Sequence, residues 1–523
     1  MSYSKPNSSE ATLTRLRTGK DSSPFSGMCV TCVDGCTGLC EIGRSAYRST
    51  EVLYPQPFGN STSASQKDYP VDFSHLNIMG TAVGAFGIEP DPDVATFPNV
   101  SLEAAVCADK GLKLRLPFVI PGLGSTDVAK NNWEGLAIGA AISGVILTIG
   151  ENVCGMDEAT VIEKGRVVDS PDMARRVKLF QDWCDGYGTI VVQSNVEDTR
   201  LGVLEYALAK LGVEAVELKW GQGAKDIGGE VKIRKLEKAQ MLKQRGYIVL
   251  PDPEATSSKE NFSKTFSEFE RHSRIGFVDE ESFVKRVLEL RDAGAKYVFL
   301  KTGAYRPADL ARAVKFSSLA KIDLLTVDGA GGGTGMSPWR MMNEWGVPTL
   351  HLAAMTYEYA RRLAEKGEYV PDIAIAGGFT LEDHIVKALA MGAPYFKLVG
   401  MARSPIAAAM VGKTIGKLIE EKNLPKAISS YGNSVDEIFI TTPELKERFG
   451  DRFKDIPTSA IGVYSYYKRL AQGVRQLMCG IRKFALEHLS RDDLASLTKE
   501  CAEITGIPYV MDLDQDEVDK ILG

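Results

Sequence analysis

The sequence predicts an α/β chain built on a (β/α)8 TIM barrel, with an N-terminal cysteine-rich segment and a C-terminal helical extension. Two observations carry that expectation. From about residue 113, eight short runs rich in Val, Ile and Leu recur, most of them followed by a helical stretch. The residues closing those runs are glycine or polar, as in Gly150-Glu151-Asn152, Gln193-Ser194-Asn195, Lys301-Thr302-Gly303 and Asp328-Gly329. An open doubly wound sheet is the rival, but eight units are present and no GxGxxG opens the first of them.

Taken in order, residues 1–28 are rich in Ser, Thr and Lys without periodicity and form a loose arm. A cysteine segment follows, and residues 50–112 read as irregular structure punctuated by Pro and Gly. Residues 1–112 thus make an N-terminal arm, 113–439 the barrel, and 440–523 a helical cap with patterns over Tyr464–Leu489 and Arg491–Thr505. The expected strands are Pro117–Pro121, Val145–Ile149, Thr189–Gln193, Ala215–Trp220, Tyr297–Lys301, Leu324–Asp328, Ile373–Ala376 and Tyr395–Val399. Continuous apolar runs of this kind suit strands covered on both faces. Residues 226–279, rich in Lys, Glu and Ser, form a long insertion of the kind that supplies lids or substrate contacts.

Composition excludes several classes of function. A net charge of −6 on 523 residues speaks against a nucleic-acid partner, which needs a basic face. The longest apolar run, Leu136 to Ile149, is too short to span a bilayer, and no apolar leader is visible, so a cytoplasmic protein with no membrane partner is expected. Nine cysteines are sparse at this length, yet four of them fall at Cys29-x2-Cys32-x3-Cys36-x3-Cys40. Four thiolates so close together suit a metal centre, with an iron–sulfur cluster of the [4Fe–4S] type as the leading reading. A structural zinc, whose ligands come as two separated pairs, and four unligated thiols are the alternatives.

The barrel ends carry the rest of the chemistry. Asp328-Gly329-Ala330-Gly331-Gly332-Gly333-Thr334-Gly335-Met336-Ser337-Pro338 follows the sixth strand, Gly377-Gly378 the seventh and Gly400-Met401 the eighth. Successive glycines let backbone N–H groups approach a flat or anionic ligand, and loops seven and eight are the usual phosphate site of these barrels. Lys219 and Lys301 close strands four and five. A cation there can balance the charge that gathers on a reduced flavin, and a salt bridge to Glu151 or Asp328 is the structural alternative.

At these residues the sequence resembles the FMN-binding synthase domain of glutamate synthase, over roughly 110–510. Gly150-Glu151 resembles its turn after strand two, and Gln193 through Gly202 its third strand and following turn. Gln222-Gly223-Ala224-Lys225 matches its Gln-Gly-Ala-Lys, and Gly332 to Pro338 its Gly-Gly-Thr-Gly-Ala-Ser-Pro with one change. The resemblance implies FMN held by Gln193, Lys219, Lys301, Gly332, Gly333, Gly377, Gly378, Gly400 and Met401. It implies Gln222 and Lys225 on the carboxylate of a 2-oxo acid or amino acid, and Glu151 with Lys301 as catalytic groups. The implied activity is that of an FMN-dependent oxidoreductase acting on CH–NH2 donors. Other expectations are 2-hydroxy-acid oxidation, isomerisation, or an electron-transfer subunit.

The sequence also departs from that family. The family's three cluster cysteines after strand eight are replaced by Arg403-Ser404-Pro405-Ile406-Ala407-Ala408-Ala409-Met410, and its His-Asp before the glycine run by Ala330-Gly331. The chain begins Met1-Ser2, without an N-terminal cysteine nucleophile or a glutaminase domain. Expected partners are therefore an electron carrier such as ferredoxin or a reductase subunit, feeding the N-terminal cysteine centre, and a separate ammonia-supplying subunit. A homo-oligomer is also expected.

Overall fold

The computed structural model describes residues 28–29, 31–38, 40–48, 67, 69–107, 110–223, 230–264, 268–333 and 345–523. Eight parallel strands close into one barrel: β1 (Phe118–Leu123), β2 (Ile146–Ile149), β3 (Thr189–Ser194), β4 (Ala215–Lys219), β5 (Tyr297–Thr302), β6 (Leu324–Asp328), β7 (Asp372–Ala376) and β8 (Phe396–Gly400). The ring closes through β8 against β1 and β4 against β5. Each expected strand lies within two residues of its observed bounds. Eight helices follow in turn: α1 (Asp127–Ser143), α2 (Pro171–Gln181), α3 (Val203–Leu211), α4 (Glu280–Asp292), α5 (Pro307–Leu319), α6 (Thr349–Glu365), α7 (Glu382–Gly392) and α8 (Arg403–Glu420).

Why strands form here follows from the two cores they separate. Alternate residues such as Leu147, Val192, Val216 and Leu300 pack outward beneath the helices, while Ile146, Val191, Ala215 and Phe299 pack inward. A run with no polar face is stable only when both faces are covered. The helices are bounded by local chemistry: Thr126 caps α1 through the Ala129 amide, and Gly144 ends it with φ of 66°.

Two expectations need correction. Residues 50–112 are not wholly irregular. Ala104–Val106 and Leu112–Leu114 form a hairpin, and Val106, Cys107, Leu112 and Leu114 close the N-terminal end of the barrel interior. The cap is not purely helical either. Its main helix, α9 (Thr458–Gly480), is followed by short turns and by the strand Leu494–Ser496, which pairs antiparallel with Leu76–Ile78. That partner lies hundreds of residues away, so no local periodicity announces it. The insertion carries a three-stranded antiparallel sheet, in which Phe269–His272 lies between Glu230–Ile233 and Ile248–Leu250. Among the described residues no helix is long and apolar enough to cross a membrane.

α9 binds the barrel by close approach. It packs on α1, α8 and the helix Glu41–Arg48. On α1, Gly139 faces Val463, and a Cβ added to Gly139 would stand 2.5 Å from the Val463 Cβ. Neither helix backbone can yield there without moving the other. Gly139→Val should therefore lower unfolding stability by about 1–3 kcal/mol, the usual cost of overpacking, as read from chemical denaturation.

Candidate active site

The barrel interior divides into a dry half and a polar half. At the N-terminal end Val119, Ile146, Val191, Phe299, Leu324 and Leu398 belong to one buried cluster. Side chains alternate along a strand, so the inward positions nearer the C-terminal ends are Gln193 on β3, Glu217 and Lys219 on β4, Lys301 on β5, and Thr326 and Asp328 on β6. Strand register sets Lys219 beside Lys301, Lys301 beside Thr326, and Gln193 beside Glu217.

Two ammonium groups on adjacent strands would repel if left unmatched. Each instead meets a carboxylate: Lys219 Nζ lies 2.7 Å from Glu151 Oε1, and Lys301 Nζ 3.1 Å from Asp328 Oδ2. Burial disfavours the Glu151 anion, but Lys219 and then Lys301 more than reverse this and lower its pKa to about 2. Burial alone would depress Lys301, yet Asp328, Glu217 and Glu151 hold it above the usual lysine value. Glu217 differs from the other two acids. It is 2% exposed, and Gln193 Nε2 donates to its Oε1 at 2.5 Å. Among the described residues no cation stands within ion-pair distance of it. Burial pushes its carboxyl up against the pull of Lys301, Gln193 and Lys219.

Above this charged layer the loops are backbone-lined. Gly377 and Gly378 have φ of 123° and 111°, and a Cβ on Gly377 would stand 2.4 Å from Thr349 Oγ1. The Thr349 hydroxyl lies 2.7 Å from the Gly377 carbonyl and 3.0 Å from that of Ala330, tying the loops after β6 and β7. Gly332 faces Gly377 so closely that its own Cβ would come within 3.3 Å of the Gly377 Cα. Gly400 sits between Ala376 and Pro121. Two buried polar atoms in the mouth, Gln193 Oε1 and Thr326 Oγ1, have no hydrogen-bond partner among the described residues. A flat ring with polar edges and a phosphate tail fits this donor set and this glycine-lined rim.

The N-terminal cysteine segment packs on α8 through the helix Glu41–Arg48 and its neighbours. Gly38 and Gly43 pack on Val411, and Cys32 acts electrostatically on Arg403. Burial first, then Cys32, Cys29 and Cys36, raise the Cys40 thiol well above its usual value. The Gly38 amide donates to Cys36 Sγ at 3.4 Å and the Gly43 amide to Cys40 Sγ at 3.3 Å. N–H···S contacts of this kind tune thiolate-held clusters, so the donor chemistry suits iron–sulfur. Even so, no three His, Cys, Asp or Glu among the described residues are disposed to hold an ion. The thiols converge without forming a ready ligand set.

Of the residues expected from sequence, Glu151, Gln193, Lys219 and Lys301 meet in the mouth, and Gln222 joins them by accepting from Lys219 at 3.3 Å. Gly332, Gly377, Gly378 and Gly400 lie on its rim, and Gly333 follows Gly332 in the loop after β6. Met401 instead packs outward against Tyr466 of α9, whose hydroxyl is 3.8 Å from its sulfur. Lys225 and the run Thr334-Gly335-Met336-Ser337-Pro338 lie outside the described residues. The salt bridges to Glu151 and Asp328 that the sequence offered as the structural alternative are both present, whereas sequence reasoning missed Glu217 as a member of the charged layer. The signal was available, since Glu217 stands two positions before Lys219 in the same strand and so shares its face.

Comparison with known proteins bears on this arrangement. The family model described as the conserved region in glutamate synthase matches residues 60–410. A glutamate synthase large subunit-like protein of Rhizobium meliloti is 24% identical over 410 residues, covering 77% of this chain and 79% of its own length. A glutamate synthase large subunit-like protein of Bacillus subtilis is 27% identical over 191 residues, covering 36% of this chain and 32% of its own. Among solved structures, a flavocytochrome b2 mutant with pyruvate bound gives a TM-score of 0.46 at 14% identity, over 85% of this chain and 82% of that one. That likeness is too distant to speak to chemistry.

Beside the mouth lies a buried polar knot that ties the insertion to the barrel. Asp198 Oδ2 accepts from the Asn152 amide at 2.8 Å, and Arg274 pairs with Glu197 at 2.9 Å. Arg271, 1% exposed, stacks 5.1 Å from the Tyr247 ring and donates to Ser273. Burial above all, with Glu151 adding to it, raises the Asp198 carboxyl to about 7. An acid that holds its proton more tightly when folded makes stability fall as pH rises from its unfolded value, near 4, to about 7. Asp198→Asn removes that loss. The stability of the variant relative to wild type should climb between pH 4 and 7, by on the order of a few kcal/mol, and then level off. Urea denaturation across that range reads it.

Proposed function

The chain belongs to the family of the conserved glutamate synthase region, and from that premise we propose that it is an FMN-dependent oxidoreductase of glutamate synthase type. The observation that carries this reading is the mouth itself. Two lysines, an amide with an unused oxygen and a rim of glycines face one opening. Bound there, FMN would supply reversible hydride transfer.

The chain's own groups would do the rest. Lys219 and Lys301 set a positive edge for the ring, with Glu151 and Asp328 fixing where each ammonium points. Gln193 offers its free oxygen to a ring N–H, and the Gly377-Gly378 loop with Gly400 leaves room for the phosphate. Gln222, oriented by Lys219, and Lys225 would grip the carboxylate of an amino acid or 2-oxo acid. Glu151 would hold or move a proton at the substrate. Electrons would enter from a ferredoxin-like carrier or reductase subunit through an iron–sulfur centre on Cys29, Cys32, Cys36 and Cys40. The seat of these cysteines against Arg403 and Val411 supports that route, because the family's cluster cysteines follow strand eight at the same stretch. Ammonia would come from a separate subunit. A 2-hydroxy-acid oxidation would want a histidine at the mouth, whereas His384 is buried against the Thr380 amide.

Three outcomes follow. The purified protein should carry about one FMN per chain, the single phosphate site of such a barrel. Replacing Lys301→Met together with Asp328→Asn, which removes the ion pair as a unit, should weaken FMN by about ten- to a hundredfold in fluorescence titration, the worth of one charge-assisted hydrogen bond. The pair Cys32→Ser and Cys36→Ser should abolish iron while leaving FMN content unchanged, with both quantified on one anaerobic sample. Iron that survives the pair would place the centre elsewhere.

A further inference from the structure

The charged layer contains more carboxylates than it needs to neutralise its lysines. Glu151 and Asp328 already match Lys219 and Lys301, at 2.7 and 3.1 Å. Glu217 is a third acid, deeper in the barrel, with only the Gln193 amide bound to it. If all five groups are ionised the layer carries one net negative charge. Reduction adds negative charge along the flavin edge that faces such lysines. With both ammonium groups already spoken for, a second uncompensated anion in a dry cavity would cost several kcal/mol.

We propose that Glu217 is a redox-linked proton acceptor: when the flavin above it is reduced, its carboxylate takes up a proton and keeps the charge of the barrel interior constant. The inference rests on the FMN reading of the mouth. The balance is two electrons from the reductant and one proton from solvent to the flavin, with one further proton from solvent to a Glu217 oxygen, both protons being released again on reoxidation. The groups facing Glu217 are Gln193 from β3, Lys219 from its own strand, Lys301 from β5, Asp328 and Thr326 from β6, and Glu151 from the loop after β2. Glu151 is held ionised by its lysine, and Asp328 sits 3.1 Å from an ammonium group. Glu217 has no ion-pair partner among the described residues, only the Gln193 amide. Phe299 and Ala215 below it are apolar, so no competing acid lies beneath.

The experiment is a dithionite titration of the FMN-loaded protein from pH 5 to 9, recording midpoint potential and the infrared difference spectrum of reduction. Wild type should pass through a pH window in which about two protons accompany two electrons, with a protonated-carboxyl C=O band appearing on reduction. Glu217→Gln should take up about one proton throughout and lack that band. Wild type showing one proton at every pH, or Glu217→Gln keeping the second proton and the band, overturns the proposal and leaves the flavin reading intact. A wild-type protein that cannot be loaded with FMN overturns both. Should Glu217→Gln fail to fold, the wild-type stoichiometry and band still decide.

Discussion

Everything at the mouth of this barrel is organised around one difficulty, the presence of two ammonium groups side by side in a place with little water. Lys219 and Lys301 are in register on neighbouring strands. Stripping a lysine of solvent without a counter-charge costs several kcal/mol, so the position of almost every other polar group follows from theirs. Glu151 reaches in from the turn after β2, and Asp328 from the end of β6. The αL residue Asn152, with φ of 66°, lets the chain turn sharply enough to present Glu151, and Asp198 holds the Asn152 amide in that turn. The insertion sheet is drawn in at the same place through Arg274 and Glu197. A charge pattern on two strands thus fixes the conformation of loops on four.

Much of this could be read from the sequence, and the reasons are physical. The eight strands were legible because burial on both faces demands uninterrupted Val, Ile and Leu, a local signal. Glu151, Gln193, Lys219 and Lys301 stood out because polar groups ending such runs are costly unless used. The hairpin at 104–114 and the strand Leu494–Ser496 were not legible, since each is defined by a partner rather than by its own composition. Glu217 was overlooked for a different reason: inside a strand a single acid looks like solvent-facing alternation unless the face it shares with Lys219, two positions on, is followed into the barrel.

Distance along the chain and distance in space part company at the cysteines. The stretch after β8 holds no cysteine, yet the N-terminal cysteine segment comes to rest against α8, with Gly38 and Gly43 on Val411 and Cys32 acting on Arg403.

The pairing of Leu76–Ile78 with Leu494–Ser496 has a consequence for how the protein is made. A strand near the beginning cannot find its partner until the ribosome has delivered nearly the whole polypeptide. The helix Glu41–Arg48 waits in the same way, because its contacts are α8 and α9. The strand Leu76–Ile78 and the helix Glu41–Arg48 therefore gain these contacts only after all eight strands of the barrel have been made. Through that interval the four thiols remain open to whatever delivers or removes a ligand. Maturation would be timed by translation itself, with the last turns of the chain acting as the latch.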